Sequence, residues 1–342
     1  MDDILFTTMQ HIGVITLNRP KALHALTFAM IKALTTQLQR WQDDHDVHAI
    51  VIRAAGSKAF CAGGDVRAIY DLGRHDVAKA LDFFHHEYQL NQQIFNYPKP
   101  YIALMDGITM GGGVGISLHG SYPVASENFV FAMPETSIGF FPDVGASYLL
   151  SRCVDNVGIY LGLTGNRIAV ADALELGLIK YIIPQERHDA LLFKLSAADL
   201  STDAHTRVGA LLQEMSEPCA LTQQIGYLAY TRQCFDYQDL AAIFAALAQG
   251  NTIWHSEVSQ QLLQKSPLSL HVTLKQLHSA QNMNLSECLS MDYKLAKHFM
   301  LGHDFYEGVR ALLIDKDKTP HWDPAVWTDV TTAMVHNYFG IY

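Results

Sequence analysis

Tyr101-Ile102-Ala103-Leu104-Met105-Asp106-Gly107-Ile108-Thr109-Met110-Gly111-Gly112-Gly113-Val114-Gly115 joins a short apolar run to a glycine loop. Five consecutive apolar residues suit a strand buried on both faces, as in a parallel sheet. The glycines after it let the backbone come close to a ligand or to another segment. Upstream, Ala49-Ile50-Val51-Ile52-Arg53-Ala54 is a second such strand, and Cys61-Ala62-Gly63-Gly64-Asp65 is a second glycine loop. In parallel sheets, ligands sit at the carboxyl ends of strands, where such loops gather. One backbone N–H from each loop, aimed at a single carbonyl oxygen, would make an oxyanion hole. Read from spacing alone, the glycines are equally consistent with tight turns and close helix–sheet packing.

Outward from these loops, residues 4–8 and 12–17 read as strands, and Asn18-Arg19-Pro20 ends the second. Residues 26–43 carry Leu26, Met30, Leu34, Leu38 and Trp41 at helical spacing, and residues 77–95 read as a helix ended by Pro98 and Pro100. A helix over 112–119 and a strand at 122–125 follow. Alternation of strands and helices to about residue 183 predicts an α/β core. Beyond Pro184 the strand-like segments fade, and helical patterns cover 238–248, 254–264, 269–280 and 286–300. The expected organisation is a core over 1–200 and a helical region over 201–342 packed on it.

The chain has 342 residues, 49% hydrophobic and 17% charged, which excludes disorder and suits a globular enzyme. A formal net charge of −10 argues against nucleic acid as a partner, because phosphate backbones need a basic surface. No apolar run reaches the roughly eighteen residues of a membrane span. Cys61, Cys153, Cys219, Cys234 and Cys288 are odd in number and widely spaced, as free thiols in a reducing compartment would be. With no signal-peptide or Arg-rich transit pattern at the N-terminus, the expected location is cytoplasmic.

Met133-Pro134-Glu135-Thr136-Ser137-Ile138-Gly139-Phe140-Phe141-Pro142-Asp143-Val144-Gly145 places two carboxylates eight residues apart among Gly, Pro and apolar residues. Such a segment solvates charge poorly, so the acids need partners or a ligand that uses them. Nucleotide readings of the glycines fail. Gly111 to Gly115 does not complete G-x-G-x-x-G, and no Gly-Lys-Ser/Thr follows. His85-His86-Glu87 lacks the spacing of a zinc site, so no metal is expected. Ser137 has no G-x-S-x-G context, Cys61 has no evident base partner, and Asp65 reads as an anchor for its loop.

These segments together resemble the enoyl-CoA hydratase/isomerase (crotonase) superfamily. Lys58 to Asp65 is similar to its first oxyanion-hole segment, Gly107 to Gly115 to its second, and Asn18-Arg19-Pro20-Lys21-Ala22-Leu23 to its acyl-CoA-binding turn. His24 stands where the family more often has Asn. Glu87-Tyr88, Met133-Pro134-Glu135-Thr136, Phe141-Pro142-Asp143-Val144-Gly145, Leu163-Thr164-Gly165, Ser266-Pro267 and Gly302 to Asp317 are most similar to the 3-hydroxyisobutyryl-CoA hydrolase branch. The resemblance runs from about residue 5 to 325. It implies an α/β fold of the ClpP/crotonase type, a spiral of ββα units with a helical C-terminal region.

The same resemblance implies the roles. Hydratases of the family carry a glutamate two positions past the glycine triplet, where this chain has Gly115. They keep the acid corresponding to Glu135 and have a small residue where Asp143 stands. The exchange implies thioester hydrolysis, which needs groups near the carbonyl carbon and not at the α and β carbons. Backbone N–H groups of Gly64 and Gly112 would hold the thioester oxygen. Glu135 would be general base or nucleophile, Asp143 would hold the 3-hydroxyl or assist proton transfer, and Glu87 would line the acyl pocket. CoA would lie with its adenine near Ala62 and Asp65, and Lys21 and Lys58 would meet its phosphates. No metal or redox cofactor is implied, the partner is a small acyl-CoA, and a homo-oligomer fits the superfamily. The bland readings are a cap or ion pair for Glu135, a helix cap for Asp143, and a solvated helix position for Glu87. Two other functions stand beside hydrolysis: an enoyl-CoA hydratase or isomerase, and a non-catalytic CoA-binding or assembly protein.

Overall fold

The computed structural model describes residues 2–218 and 226–340, so Cys219 lies outside the described residues. Ten strands are found among them: β1 Ile4–Met9, β2 Ile12–Leu17, β3 Ala49–Ala54, β4 Ala59–Cys61, β5 Tyr101–Met105, β6 Ile108–Met110, β7 Tyr122–Ala125, β8 Val130–Ala132, β9 Ile168–Ala169 and β10 Tyr181–Ile182. The larger sheet runs β1-β2-β3-β5-β7-β10 and the smaller β4-β6-β8-β9. β1 and β2 form an antiparallel hairpin; from β2 to β10 the large sheet is parallel. Register places Val14 beside Val51, Val51 beside Ile102, and Leu104 beside Val124. With side chains alternating between faces, these two rows, Val14–Val51–Ile102 and Leu104–Val124, lie on one side of the sheet.

The chain separates into two compact units that interleave along the sequence. The first comprises Met1–Asp65, Gln89–Phe131 and Ile168–Gln224; the second comprises Val66–Tyr88, Ala132–Arg167 and Ile225–Tyr342. This division is not sequential, unlike the split at residue 200 read from composition. The physical reason lies in the first unit, where helices His188–Ala197 and Ala204–Met215 bury Leu191, Leu195, Val208 and Leu212 in the same cluster as Val51 and Ile102. The sheet needs those helices to keep its apolar face from water, so the chain stays with it past residue 200.

The helix read over 26–43 is Phe28–Asp43. It starts where Thr27 caps it, the hydroxyl accepting from the Met30 N–H at 3.2 Å. Its buried stripe is Met30, Ile31, Leu34, Leu38 and Trp41. The Trp41 indole lies against Gly13, where a Cβ would stand 2.8 Å from the ring. In the second unit, Leu285–Leu301 opens on a capping box made by Asn284 and Glu287. Ser266 caps Pro267–Ala280. Among the described residues no helix is long and apolar enough to cross a membrane.

Of the four short strands of the smaller sheet, β4 and β6 lie at segments read as glycine loops, and β8 and β9 fall where no element is read from sequence. Two to three residues each are too few to show a period. β4 and β6 pair in parallel, so the stretches leading to the two glycine loops are fixed to one another by backbone hydrogen bonds. Gly107 opens β6 at φ +81°, and a Cβ there would lie 2.6 Å from the Lys58 carbonyl oxygen. Gly107→Ala is therefore expected to lower the unfolding free energy by about 1–3 kcal/mol through overpacking and backbone strain. Urea denaturation checks this, with a lower midpoint at unchanged slope as the expected result.

Candidate active site

The first unit holds both glycine loops. Leu26 bridges Gly64 in parallel fashion: the Leu26 N–H donates to Gly63 O at 2.8 Å, and the Asp65 N–H donates to Leu26 O at 2.9 Å. That pattern leaves the Gly64 N–H out of the bridge. Gly63 sits at φ +111°, and a Cβ on it would stand 3.8 Å from the Gly112 nitrogen, so the loops run side by side. Gly112 is the first residue of the helical turn Gly112–Gly115. The first N–H groups of a helix have no acceptor within it and carry the positive end of its dipole. Gly64 and Gly112 thus supply N–H groups suited to a carbonyl oxygen gaining charge.

The turn over residues 18–23 is built around His24. Its ring accepts from the Arg19 N–H at Nδ1 (3.0 Å), which leaves Nε2 to donate to Ala55 O (3.0 Å). His24 has φ +58°, a region open to few residues apart from Gly, Asn, Asp and His. His can therefore stand where relatives favour Asn: the position asks for a left-handed backbone. Leu23 O accepts from the Ala62 N–H at 3.0 Å, tying this turn to the first glycine loop. Arg19 pairs with Asp65 at 3.2 Å, the anchoring role read for Asp65. The Cys61 thiol is buried and donates to His24 O at 3.2 Å. Lys21 and Lys58 are both exposed.

The second unit holds the acids. Glu135 begins the tight turn Glu135–Ile138, which Gly139 ends at φ +68°. Asp143 follows after Phe140, Phe141 and Pro142. Glu87 and Tyr88 come from the helix Val77–Phe95. Glu87, Glu135 and Asp143 are 2%, 7% and 6% exposed, so Glu87 is not a solvated helix position. Asp143 does not cap a helix with its side chain. Its carboxylate accepts from the Tyr88 hydroxyl at 2.8 Å, while Gly145 occupies the cap position. Glu135 is in no ion pair among the described residues, and neither are Glu87 and Asp143. Glu87 Oε1 and Glu135 Oε2 are buried without a hydrogen-bond partner.

A fourth carboxylate, Asp292, escaped the sequence reading. It lies on Leu285–Leu301, wholly buried. Its neighbours on that helix face are Cys288, Leu289, Leu295 and Ala296, all buried. An acid at a position where the helical period demands an apolar residue was the available signal. Around these groups aromatic rings exclude water: Phe84 stacks on Phe140 at 5.4 Å between centroids, and Phe141 on Phe299 at the same distance.

Burial among like charges sets the proton affinities. Burial pushes Glu87 well above the usual carboxylate range, and the Asp143 and Glu135 charges push it further. Glu135 is raised well above its ordinary value by burial and by Asp143. Asp292 is raised by burial and Asp143, against the Gly145 N–H and Gln276 amide that favour its anion. Asp143 is pushed up to about 7 by burial, although the Tyr88 hydroxyl holds it back. Like charges this close, buried without a cation, disfavour ionisation of all four acids at once. Among the described residues no group of three or more His, Cys, Asp or Glu side chains is arranged to hold a metal ion.

A family model described as enoyl-CoA hydratase/isomerase matches residues 12–339. The chain belongs to the enoyl-CoA hydratase/isomerase family. It is 41% identical to the mitochondrial 3-hydroxyisobutyryl-CoA hydrolase of Xenopus tropicalis, over 98% of this chain and 88% of that protein. The Homo sapiens protein of the same name is 39% identical over 99% of this chain and 88% of its own length. Among solved structures, a carnitinyl-CoA dehydratase from Mycobacterium thermoresistibile superposes with TM-score 0.92 at 36% identity, covering 99% of this chain and 96% of that one. An enoyl-CoA hydratase from Rhodobacter sphaeroides 2.4.1 gives 0.90 at 34% identity, covering 99% and 97%. The crotonase-type α/β fold with C-terminal helices is thereby borne out. The cytoplasmic expectation is overturned, since these hydrolase relatives are named as mitochondrial. It rested on thiol usage and N-terminal composition, and neither separates one reducing compartment from another.

The raised Asp143 carboxyl makes stability depend on pH. Its folded value of about 7 lies above the value of about 3.9 in an unfolded chain, so the folded state holds the extra proton between them. This group's contribution to stability is complete below pH ~4 and is lost as pH rises towards 7. Asp143→Asn removes that loss. The variant's unfolding free energy, relative to wild type, is expected to rise between pH 4 and pH 8 by on the order of 2–4 kcal/mol. Urea melts at both pH values measure it, and parallel curves for the two proteins would contradict the assignment.

Proposed function

We propose that this chain hydrolyses 3-hydroxyisobutyryl-CoA to 3-hydroxyisobutyrate and free CoA, a reaction of valine breakdown. Similarity of 39–41% to hydrolases of that name over nearly the whole chain supports this reading. The fold alone does not decide it, because structures titled as a dehydratase and a hydratase share the architecture. The observation that carries the reading is the exchange of acids. Gly115, in the buried Gly112–Gly115 turn, has no carboxylate to offer, while Asp143 shares its buried region with Glu135.

In the proposed reaction, the N–H groups of Gly64 and Gly112 stabilise the thioester oxygen as it becomes an oxyanion. Glu135 takes a proton from water as the water oxygen bonds to the carbonyl carbon. The C–S bond then breaks, and the CoA thiolate leaves and is protonated. Alternatively, the Glu135 carboxylate attacks the carbonyl carbon itself, giving a mixed anhydride that water opens. The raised proton affinity of Glu135, caused by burial and Asp143, suits the general-base role. Asp143 and Glu87 hold the 3-hydroxyl group. The exposed Lys21 and Lys58 meet CoA phosphates. As written, the reaction uses no metal or redox cofactor.

Release of free thiol from 3-hydroxyisobutyryl-CoA tests the proposal. Wild type should turn over, Glu135→Gln should lose about 10²–10⁴-fold in kcat, and hydration of crotonyl-CoA should be negligible. Hydration of crotonyl-CoA without thiol release would favour the hydratase. Binding of CoA without either reaction would favour the non-catalytic protein.

A further inference from the structure

The segment that carries Asp143 has an unusual backbone. Val144 sits at φ +54° and Gly145 at φ +72°. A β-branched residue in the left-handed region is an outlier, and it persists only where its surroundings over-determine it. Two buried side chains provide that constraint. Gln276, on Pro267–Ala280, donates through Nε2 to Pro142 O at 2.8 Å and to Asp292 Oδ1 at 2.8 Å. Asp292, on Leu285–Leu301, accepts the Gly145 N–H at Oδ2, also at 2.8 Å. The pair grips the carbonyl before Asp143 and the amide two residues after it.

The carboxylate is fixed independently, by the Tyr88 hydroxyl on Oδ2. Three side chains from three helices therefore set one carboxylate. Gln276 and Asp292 are both 0% exposed. A buried carboxylate with no cation is costly, and apolar residues would fill the same space more favourably. The cost is intelligible when the group holds a turn that no apolar residue could hold.

We propose that Asp292 and Gln276 are a positioning pair that clamps the Pro142–Gly145 turn and so aims the Asp143 carboxylate at the substrate. The inference rests on the hydrolase reading for its kinetic test. Asp292→Asn is informative because its amide would present a donor to the Gln276 Nε2 donor or to the Gly145 N–H. With one acceptor left, the amide keeps only one contact: either Gln276 turns its oxygen inward and releases Pro142 O, or the Gly145 N–H loses its acceptor. Gln276→Met conserves volume and removes both donations, and it provides the test should Asp292→Asn fail to fold.

Thiol release from 3-hydroxyisobutyryl-CoA is measured for wild type, for each variant, and for each combined with Asp143→Asn. The expected result is a loss of about 10–100-fold in kcat with KM little changed, since small misplacement of a reacting group costs that much. In the Asp143→Asn background the same substitutions should have no further effect, because the pair acts through Asp143. A merely structural role would give equal losses in both backgrounds and overturns the proposal. Inactive wild type would refute the hydrolase reading and not the clamp, which has a readout that needs no turnover. The ¹³C carboxyl resonance of Asp143, which faces Tyr88, Glu87, Glu135 and Asp292, should shift and change its titration midpoint in Gln276→Met. An unmoved resonance in a folded variant overturns the clamp.

Discussion

Burial of four carboxylates without a cation is the constraint from which most of the second unit follows. A single unpaired buried acid resolves its cost by keeping its proton. Four that feel one another cannot do so independently, because each lost proton raises the cost of the next. Glu87, Glu135 and Asp292 are each raised in part by the Asp143 charge, which makes Asp143 the common term. The aromatic shell of Phe84, Phe140, Phe141 and Phe299 is the other half of the arrangement. Asp143 and Asp292 are eased by hydrogen bonds from Tyr88, Gly145 and Gln276, whereas Glu87 Oε1 and Glu135 Oε2 have no hydrogen-bond partner among the described residues. A substrate hydroxyl and an attacking water are polar ligands for such acids, so the physics that makes their burial costly suits the region to acid–base work.

The first unit answers the opposite problem. Its loops must leave backbone N–H groups unused while packing tightly enough to hold them still. Glycine solves both, since Gly63 holds φ +111°, which L side chains rarely adopt, and a side chain at Gly107 would strike the Lys58 carbonyl. The bridge from Leu26 uses the flanking groups of residues 63 and 65 and spares the Gly64 N–H. Pairing of β4 with β6 fixes the two approaches in register. The oxyanion site proposed for Gly64 and Gly112 would depend on preorganisation, which the β4–β6 pairing favours.

Much of this was legible in the sequence, for identifiable reasons. The buried strands β3 and β5 announced themselves as unbroken apolar runs, and the helix after Thr27 announced itself by period and cap. Glu135 and Asp143 stood out because they sit among residues that solvate charge poorly. The smaller sheet was hidden because its strands are two or three residues long. Asp292 was hidden for a different reason. Polar residues are common along Leu285–Leu301, and only its place on the inward face marks it out. Gln276 was silent in the same way, because a partner for Pro142 O 134 residues away leaves no local pattern.

A difference of reaction within one fold reduces here to where a carboxylate is attached. In the hydratase pattern it lies on the segment that here is the helical turn Gly112–Gly115. This chain has glycine there and carries its acid on the Pro142–Gly145 turn, which has no regular structure of its own to hold it. An acid on an irregular turn must be aimed from outside. That requirement explains why the C-terminal helices contribute polar groups, and not only apolar packing, to the buried region. The long helical C-terminal part, read from sequence as a cover, thus also provides rigidity to the turn that carries the acid.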